Sequence, residues 1–247
     1  KTQAKILAGI ESLRHFQGRF LISVARPVAQ DIVAVLGKIP GVTAVALAGS
    51  LRRHGETIGD IDIVVAARES APVMQVVLDL PELFTVIAQG PTKTSITLKN
   101  GLNVDVRLVA PEEFPCTLHH FTGSKEHNVA LRGLARDLGL KINEYGVERS
   151  DGSLAVIEDE AGLYRLLGLD YIEPELREGG GEIQAAKEKR LPVLVKENQI
   201  RGAFHVHTRA SDGRASVREM AAAAQKLGWS YLGIADHSRS AFYAGGL

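Results

Sequence analysis

A chain of 247 residues with 45% apolar content has room for one to three domains, and a charged fraction of 23% without any low-complexity tract excludes intrinsic disorder. Lysine plus arginine and aspartate plus glutamate both number 29, so the net charge is zero and supplies no uniform field for a polyanion. The longest apolar runs, such as Ala44–Ala48, fall far below the ~20 residues of a membrane helix; the single Cys116 excludes an internal disulfide and fits a reducing, cytoplasmic setting.

Along the chain, Lys1–Phe16 has helical spacing, with Ile6, Leu7, Ile10 and Leu13 on one stripe. Arg26–Leu36 repeats it and stops at Gly37 and Pro40. Val42–Ala48 and Ile61–Ala67 read as strands, Pro72–Leu80 as a helix, and Phe84–Gln89, Ser95–Lys99 and Asn103–Val109 as three more strands. Asn100-Gly101 signals a tight hairpin, because both residues tolerate positive φ. Pro115–Leu138 is helical again, Asp151-Gly152 marks a turn, and Glu160–Leu167 is a short helix. Glu173–Glu182 is rich in Pro, Gly and Glu without a period and reads as linker. A strand–helix–strand unit follows over Ala203–His207, Val217–Leu227 and Tyr231–Asp236. Charge is uneven along this path. Lys1, Lys5, Arg14, Arg19, Arg26, Lys38, Arg52 and Arg53 meet only Glu11, Asp31 and Glu56 in the first 56 residues, whereas acids dominate 151–182. That asymmetry permits a basic working face; ordinary solvated faces explain it equally simply. Neither Lys1 nor the Gly245-Gly246-Leu247 end reads as natural, so the missing targeting signal carries no weight.

The chemistry concentrates in Ala48-Gly49-Ser50-Leu51-Arg52-Arg53 followed by Gly59-Asp60-Ile61-Asp62. Asp60 and Asp62, two apart on a strand, share one face. Aspartate is depleted in strands, and two carboxylates ~5 Å apart repel by on the order of 3 kcal/mol at an effective dielectric of about 20. Bound cations relieve that cost. Asp105, on a later strand between Val104 and Val106, completes the set if its strand pairs alongside. Three carboxylates suit magnesium or manganese, and two such ions can activate a hydroxyl and stabilise a leaving pyrophosphate. Gly49 lets the backbone turn, Ser50 opens a short helix whose amides can hold phosphate, and Arg53 adds a charged fork. A polar turn followed by an edge strand with two solvated acids is the plainer alternative, and Arg53 and Asp105 weigh against it.

These residues resemble the nucleotidyltransferase superfamily, and His120-Phe121-Thr122-Gly123-Ser124 with Asn128 and Arg132 is similar to the segment where the X family of DNA polymerases turns from palm to thumb. The resemblance covers nearly all of Lys1–Leu169, and Lys1–Glu11 looks like the end of a helix-hairpin-helix. It implies metals at Asp60, Asp62 and Asp105, with Asp105 taking the primer hydroxyl's proton. It implies triphosphate contacts from Gly49, Ser50, Arg53 and Gly59, sugar contacts from Phe121 and Gly123, a base contact from Asn128 and a template contact from Arg132. His120 stands where the family has a tyrosine that excludes ribonucleotides, and Asn103 where it has an arginine near the metals. Residue types alone allow a simpler role for this stretch, in which Thr122 or Ser124 caps a helix whose Leu131 and Leu134 face a core; the two roles are compatible.

His205-Val206-His207 followed by Asp212 and Asp236-His237 forms a second constellation. Paired histidines beside carboxylates suit zinc or manganese. The run resembles the first two motifs of the polymerase-and-histidinol-phosphatase (PHP) domain of bacterial X-family polymerases. His205, His207, Asp212 and His237 would then be part of a metal site whose remaining ligands come from later strands, and 48 residues after Gln199 are too few for the barrel.

The expectation is an α+β protein: a helical DNA-binding segment (1–36), a mixed-sheet palm (37–110), a thumb (111–172), a linker (173–199) and the start of a PHP-type α/β barrel (200–247). As the resemblance implies, it is a monomer that binds gapped or primer-template DNA and dNTP, uses Mg2+ or Mn2+, avoids membranes and fills gaps in repair. The rival readings are a template-independent nucleotidyltransferase, a PHP-type phosphoesterase or 3′-5′ exonuclease, and a non-catalytic module that binds DNA ends.

Overall fold

The computed structural model describes residues 18–246, and the chain divides into two compact units with the boundary between Leu191 and Pro192. The helix expected over Lys1–Phe16, with its helix-hairpin-helix resemblance, lies outside the described residues.

In the first unit, helix α1 (Ile22–Leu36) buries Ala25, Ala29, Ile32 and Leu36, a spacing of four, three and four that makes one stripe. It starts a turn earlier than its sequence suggests, because Pro27, which reads as a first-turn residue, sits inside it. The stripe packs on a five-stranded sheet of order β2 (Val42–Leu47), β4 (Asp60–Ala67), β7 (Asn103–Val109), β6 (Lys93–Leu98), β5 (Leu83–Gln89). Only the β4–β7 pair is parallel, so the sheet is mixed as expected. A two-residue strand pair, β1 (Phe20–Leu21) with β3 (Thr57–Ile58), lies before β4, and Asn100-Gly101 turns β6 into β7 with Gly101 at φ +88°. Ile61, Ile63 and Val65 of β4 and Val104, Val106 and Leu108 of β7 share one buried cluster with the α1 stripe. No break in the core falls at the expected boundary at residue 36: α1 shares its buried cluster with the sheet.

The opposite face of the sheet is only half covered. Leu118 of α4 (Phe114–Thr122) packs on Val64 and Val109, at the far end of β4 and β7. Asp60, Asp62 and Asp105 occupy the same face at the near end, beyond the helix. Pro115–Leu138 is two helices and not one: Gly123 at φ +68° ends α4, and Ser124 caps α5 (Lys125–Asp137) by accepting from the His127 N–H at 3.2 Å.

A second core gathers Cys116, Leu131, Ala135, Leu163, Tyr164 and Ile172 beneath a small antiparallel sheet, β8 (Leu140–Ile142), β9 (Val147–Arg149) and β10 (Leu154–Ala155), with α6 (Glu160–Leu166). The expected linker over 173–199 is wrong in its first half. Pro174–Leu176 forms a 3-10 turn, α7 (Glu182–Lys187) follows, and Arg177, Glu182 and Ala186 are buried in the first unit. This stretch has no period because pairing of charged groups holds it more than an apolar stripe does.

The second unit contains β11 (Gly202–Val206) and β12 (Tyr231–Ile234), parallel, joined through α8 (Val217–Lys226), which opens on a Ser216–Glu219 capping box. Among the described residues no helix is long and apolar enough to cross a membrane.

Candidate active site

Alternation on β4 puts Asp60 and Asp62 on one face, and the parallel register sets Asp105 beside Asp62 and Asn103 beside Asp60. Ser95 of β6 is across from Asp105 and Lys93 across from Arg107, so Lys93 reaches Asp105 diagonally and its Nζ meets Oδ2 at 2.6 Å. Neither Lys93 nor Arg107 stood out in the sequence, since only strand register brings them here. Arg107 stacks over the Phe121 ring at 4.2 Å from its centroid, closing the side of the cluster. Asn103 accepts from Thr97 Oγ1 at 2.8 Å and stays at the rim.

Asp62 carries the electrostatic load. Burial, then the charges of Asp60 and Asp105, push its carboxyl up to about 7, against the pull of Lys93 and Arg53. A raised carboxylate pKa in the folded state means that ionising Asp62 opposes folding. That penalty is absent near pH 4, grows as pH rises and is complete above pH 7. Asp62→Asn should therefore stabilise the protein in chelator at pH 8, by on the order of 3 kcal/mol and several degrees of Tm. The gain should shrink towards pH 5. Melting curves at both pH values measure it, and a destabilised variant at pH 8 would count against the charge argument.

Gly49 makes the neighbouring turn. Its φ is +58°, and a Cβ there would collide with Asp62 Oδ2, so only glycine permits the turn at 49–53 to approach the acids. The one-turn helix α2 (Gly49–Arg52) starts here, with Ser50 half-buried. Arg53 follows, its Nη1 donating to the Thr122 carbonyl at 2.5 Å and its Nε to Glu178 at 2.6 Å.

A cleft of about 590 Å³ joins these parts. Gly49, Ser50, Arg53, Asp60 and Asp62 form one side; His120, Phe121, Gly123, Asn128 and Arg132 form the other. Asp105 opens onto an adjoining recess with Asp62, Lys93, Arg107 and Phe121. Gly59 is not among the lining residues and sits beside Arg19. Asn128 donates through Nδ2 to the His120 carbonyl at 2.8 Å, which leaves its Oδ1 available. Lys125, Glu126 and Glu178 also line the cleft and had no role in the sequence reading.

Behind the Thr122–Ser124 turn lies a buried polar network. Arg52 donates to Thr122 Oγ1 at 2.7 Å and forks onto Glu160, which also accepts from Arg177 at 2.7 Å. Burial would raise Glu160, but Arg52 and Arg177 outweigh it and hold the carboxyl below its usual range. Burial lowers both His119 and His127, and the Arg177 charge adds to it; in His127 the Glu182 bond opposes the shift without reversing it. Both rings are thus neutral at pH 7, which orders the protons. His119 Nε2 donates to Tyr164 Oη at 3.1 Å, Tyr164 donates to His127 Nε2 at 2.9 Å, and His127 Nδ1 donates to Glu182 at 2.6 Å.

In the second unit, one donor atom each from His207, Asp212 and His237 lie within 4.8 Å of one another. His207 Nδ1 is 2.8 Å from Asp212. His205 is outside this group: it has φ +61° at a register shift in β11, which breaks the alternation expected to align it with His207, although the two rings lie 4.9 Å apart. Asp236 is occupied by Thr208 and Ser211.

Residues 117–178 match the family described as DNA polymerase beta thumb. A Bacillus subtilis DNA polymerase/3'-5' exonuclease PolX is 40% identical over 250 residues, covering the whole of this chain and 44% of that protein. Rat DNA polymerase lambda is 26% identical over 200 residues, 67% of this chain and 35% of that protein. A repair DNA polymerase X of African swine fever virus (isolate Tick/Malawi/Lil 20-1/1983) is 27% identical over 172 residues, 65% of this chain and 97% of the viral protein. The chain thus spans less than half the length of the first two of these relatives.

Proposed function

Since the chain belongs to family X of the DNA polymerases, we propose that its first unit adds deoxynucleotides to a primer 3′ end along a DNA template, at short gaps formed during repair. The observation that carries this reading is the convergence of Asp60, Asp62 and Asp105 at one end of a cleft walled by the Gly49–Arg53 turn and the His120–Arg132 segment. The donor set fits magnesium or manganese: all its ligands are carboxylate oxygens, and the burial and mutual repulsion that push Asp62 up are what a hard divalent cation offsets. Asp60, Asp62 and Asp105 would hold such ions, which would supply the positive charge to acidify a hydroxyl and stabilise a leaving pyrophosphate.

The remaining work falls to the protein. Asp105 is placed to receive the primer hydroxyl's proton; Lys93, now on its Oδ2, would give up that contact when a cation takes the carboxylate. Ser50, the amides at the start of α2 and the Arg53 guanidinium hold the triphosphate. Phe121 and Gly123 line the sugar, with His120 beside them; Asn128 offers Oδ1 to the base, and Arg132 meets the template. Primer extension on a gapped duplex tests this reading: addition should follow the template base and require Mg2+ or Mn2+. Extension that ignores the template would support a template-independent transferase instead.

A second reading concerns residues 192–247. The strand–helix–strand unit with its His207, Asp212 and His237 donors supports the start of a PHP-type barrel and a site for Mn2+ or Zn2+. Such a site suits phosphoester hydrolysis once further ligands fix the ion. Equilibrium dialysis should detect one ion that His207→Ala releases and Asp105→Ala does not; retention in the His207 variant would remove the assignment.

A further inference from the structure

We propose that Glu178 is a positioning residue of the nucleotide subsite, fixing the Arg53 guanidinium so that its remaining donors face the incoming triphosphate. The proposal rests on the reading of Arg53 given above. Arginine has five N–H donors in a rigid planar fork. Two edges of that fork are tied down, Nε to Glu178 Oε1 at 2.6 Å and Nη1 to the Thr122 carbonyl at 2.5 Å. Among the described residues the Nη2 pair has no such tie, and Arg53 and Glu178 both line the cleft that holds Asp60 and Asp62. Without Glu178 the long side chain would regain rotamer freedom, and nucleotide binding would have to order it again.

Glu178 sits on a fixed segment, not on a free tail. Its neighbour Arg177 is wholly buried, bonded to Glu160 and to the Ile172 carbonyl, and the Arg177 carbonyl accepts from the Ser124 N–H at 2.8 Å. On the other side, the Gly179 N–H donates to Glu182, which is itself bonded to His127. Gly179 lies so close to the first turn of α5 that a Cβ there would come within 2.8 Å of Glu126 Cβ. Residues 177–179 therefore link the Gly123–Ser124 turn to the phosphate-side turn. Glu178 itself is about half exposed, and an ion pair with one solvated partner contributes little to stability, so its removal tests positioning and not folding.

An acid beside a triphosphate site also repels the ligand, and the two effects have opposite signs. Single-nucleotide gap filling separates them, with dNTP KM, kcat and DNA Kd measured for the wild type, Glu178→Ala, Glu178→Gln, Arg53→Ala and the Arg53→Ala/Glu178→Ala double variant. Glu178→Ala should raise dNTP KM about fivefold with kcat and DNA Kd within about twofold, which corresponds to roughly 1 kcal/mol of binding. Glu178→Gln should stay within about twofold of the wild type, because its amide oxygen still accepts from Nε. In the Arg53→Ala background, loss of the Glu178 side chain should no longer raise KM, since only the relief of repulsion is left. A lowered KM in both Glu178 variants, an unchanged KM in Glu178→Ala, or the same fivefold effect without Arg53 would overturn the proposal while leaving Arg53 as a phosphate ligand. An unchanged KM in Arg53→Ala would overturn that underlying reading, and the proposal with it.

Discussion

Asp105→Ala should lower nucleotide addition by about three orders of magnitude or more, on the order of 4 kcal/mol of transition-state stabilisation, while gapped-DNA affinity stays within a few-fold. The side chain is one of three converging carboxylates and stands directly beside Asp62 in the parallel register. Its loss removes both a cation ligand and the proposed proton acceptor. It also frees Lys93, whose ammonium lines the same recess as Asp62 and can turn to it once Asp105 is gone. A lysine seated on Asp62 would compete with the metal and aggravate the defect. Little of the fold depends on the substitution, because the apolar neighbours Val104 and Val106 face the other side of the sheet. Single-turnover extension and a gel-shift titration measure the two quantities. Extension above about one per cent of wild type would sink the three-carboxylate assignment.

Gly49→Ala should lower addition by about a hundredfold or more and reduce Tm by several degrees. Alanine at φ +58° costs roughly 1–2 kcal/mol of backbone energy by itself. The larger effect comes from the new methyl group, which would occupy the place of Asp62 Oδ2 and force either the carboxylate or the phosphate-side turn to move. A displacement of about 1 Å at reacting groups is enough for losses of this size. Gly41→Ala is the matched control. Its φ of +87° imposes a comparable backbone cost, yet a Cβ there meets nothing within 4 Å. It should lose stability and keep activity. Equal loss of activity in both variants would mean that backbone strain, and not the contact with Asp62, is responsible.

The legible parts of this protein are those whose physics is local. Asp60 and Asp62 follow from a period of two, the β6–β7 hairpin from Asn100-Gly101, and the cap of α5 from Ser124, one of the two candidates with Thr122. Asp105 is a step removed: its residue type and strand context mark it as a candidate, and only pairing with β4 brings it to the site. Lys93 and Arg107 lie beyond that step, because their approach depends on register across β6 and β7. The order of residues 173–187 is not legible in the sequence, since composition cannot tell a solvated Glu-rich linker from one whose Arg177 and Glu182 find partners earlier in the chain. Strands of two and three residues, such as β8 to β10, are too short to display an alternation. At His205 the alternation of a regular strand fails, because the backbone there takes a positive φ that the sequence does not signal.

The parallel β4–β7 pair also has a temporal meaning. Strands β5, β6 and β7 form an antiparallel meander from nearby sequence, and β2 pairs with β4; the two halves meet only along β4–β7, across the connection that carries α3 (Ala71–Leu78). Asp60 and Asp62 belong to one half and Asp105 to the other, so the carboxylate cluster straddles this seam. Local hairpins close quickly, whereas a non-local parallel pairing must first meet the entropy of closing the longer loop. Before that seam zips the three carboxylates are split between the two halves, so the proposed cation site would be a property of the completed sheet rather than of any fragment of it.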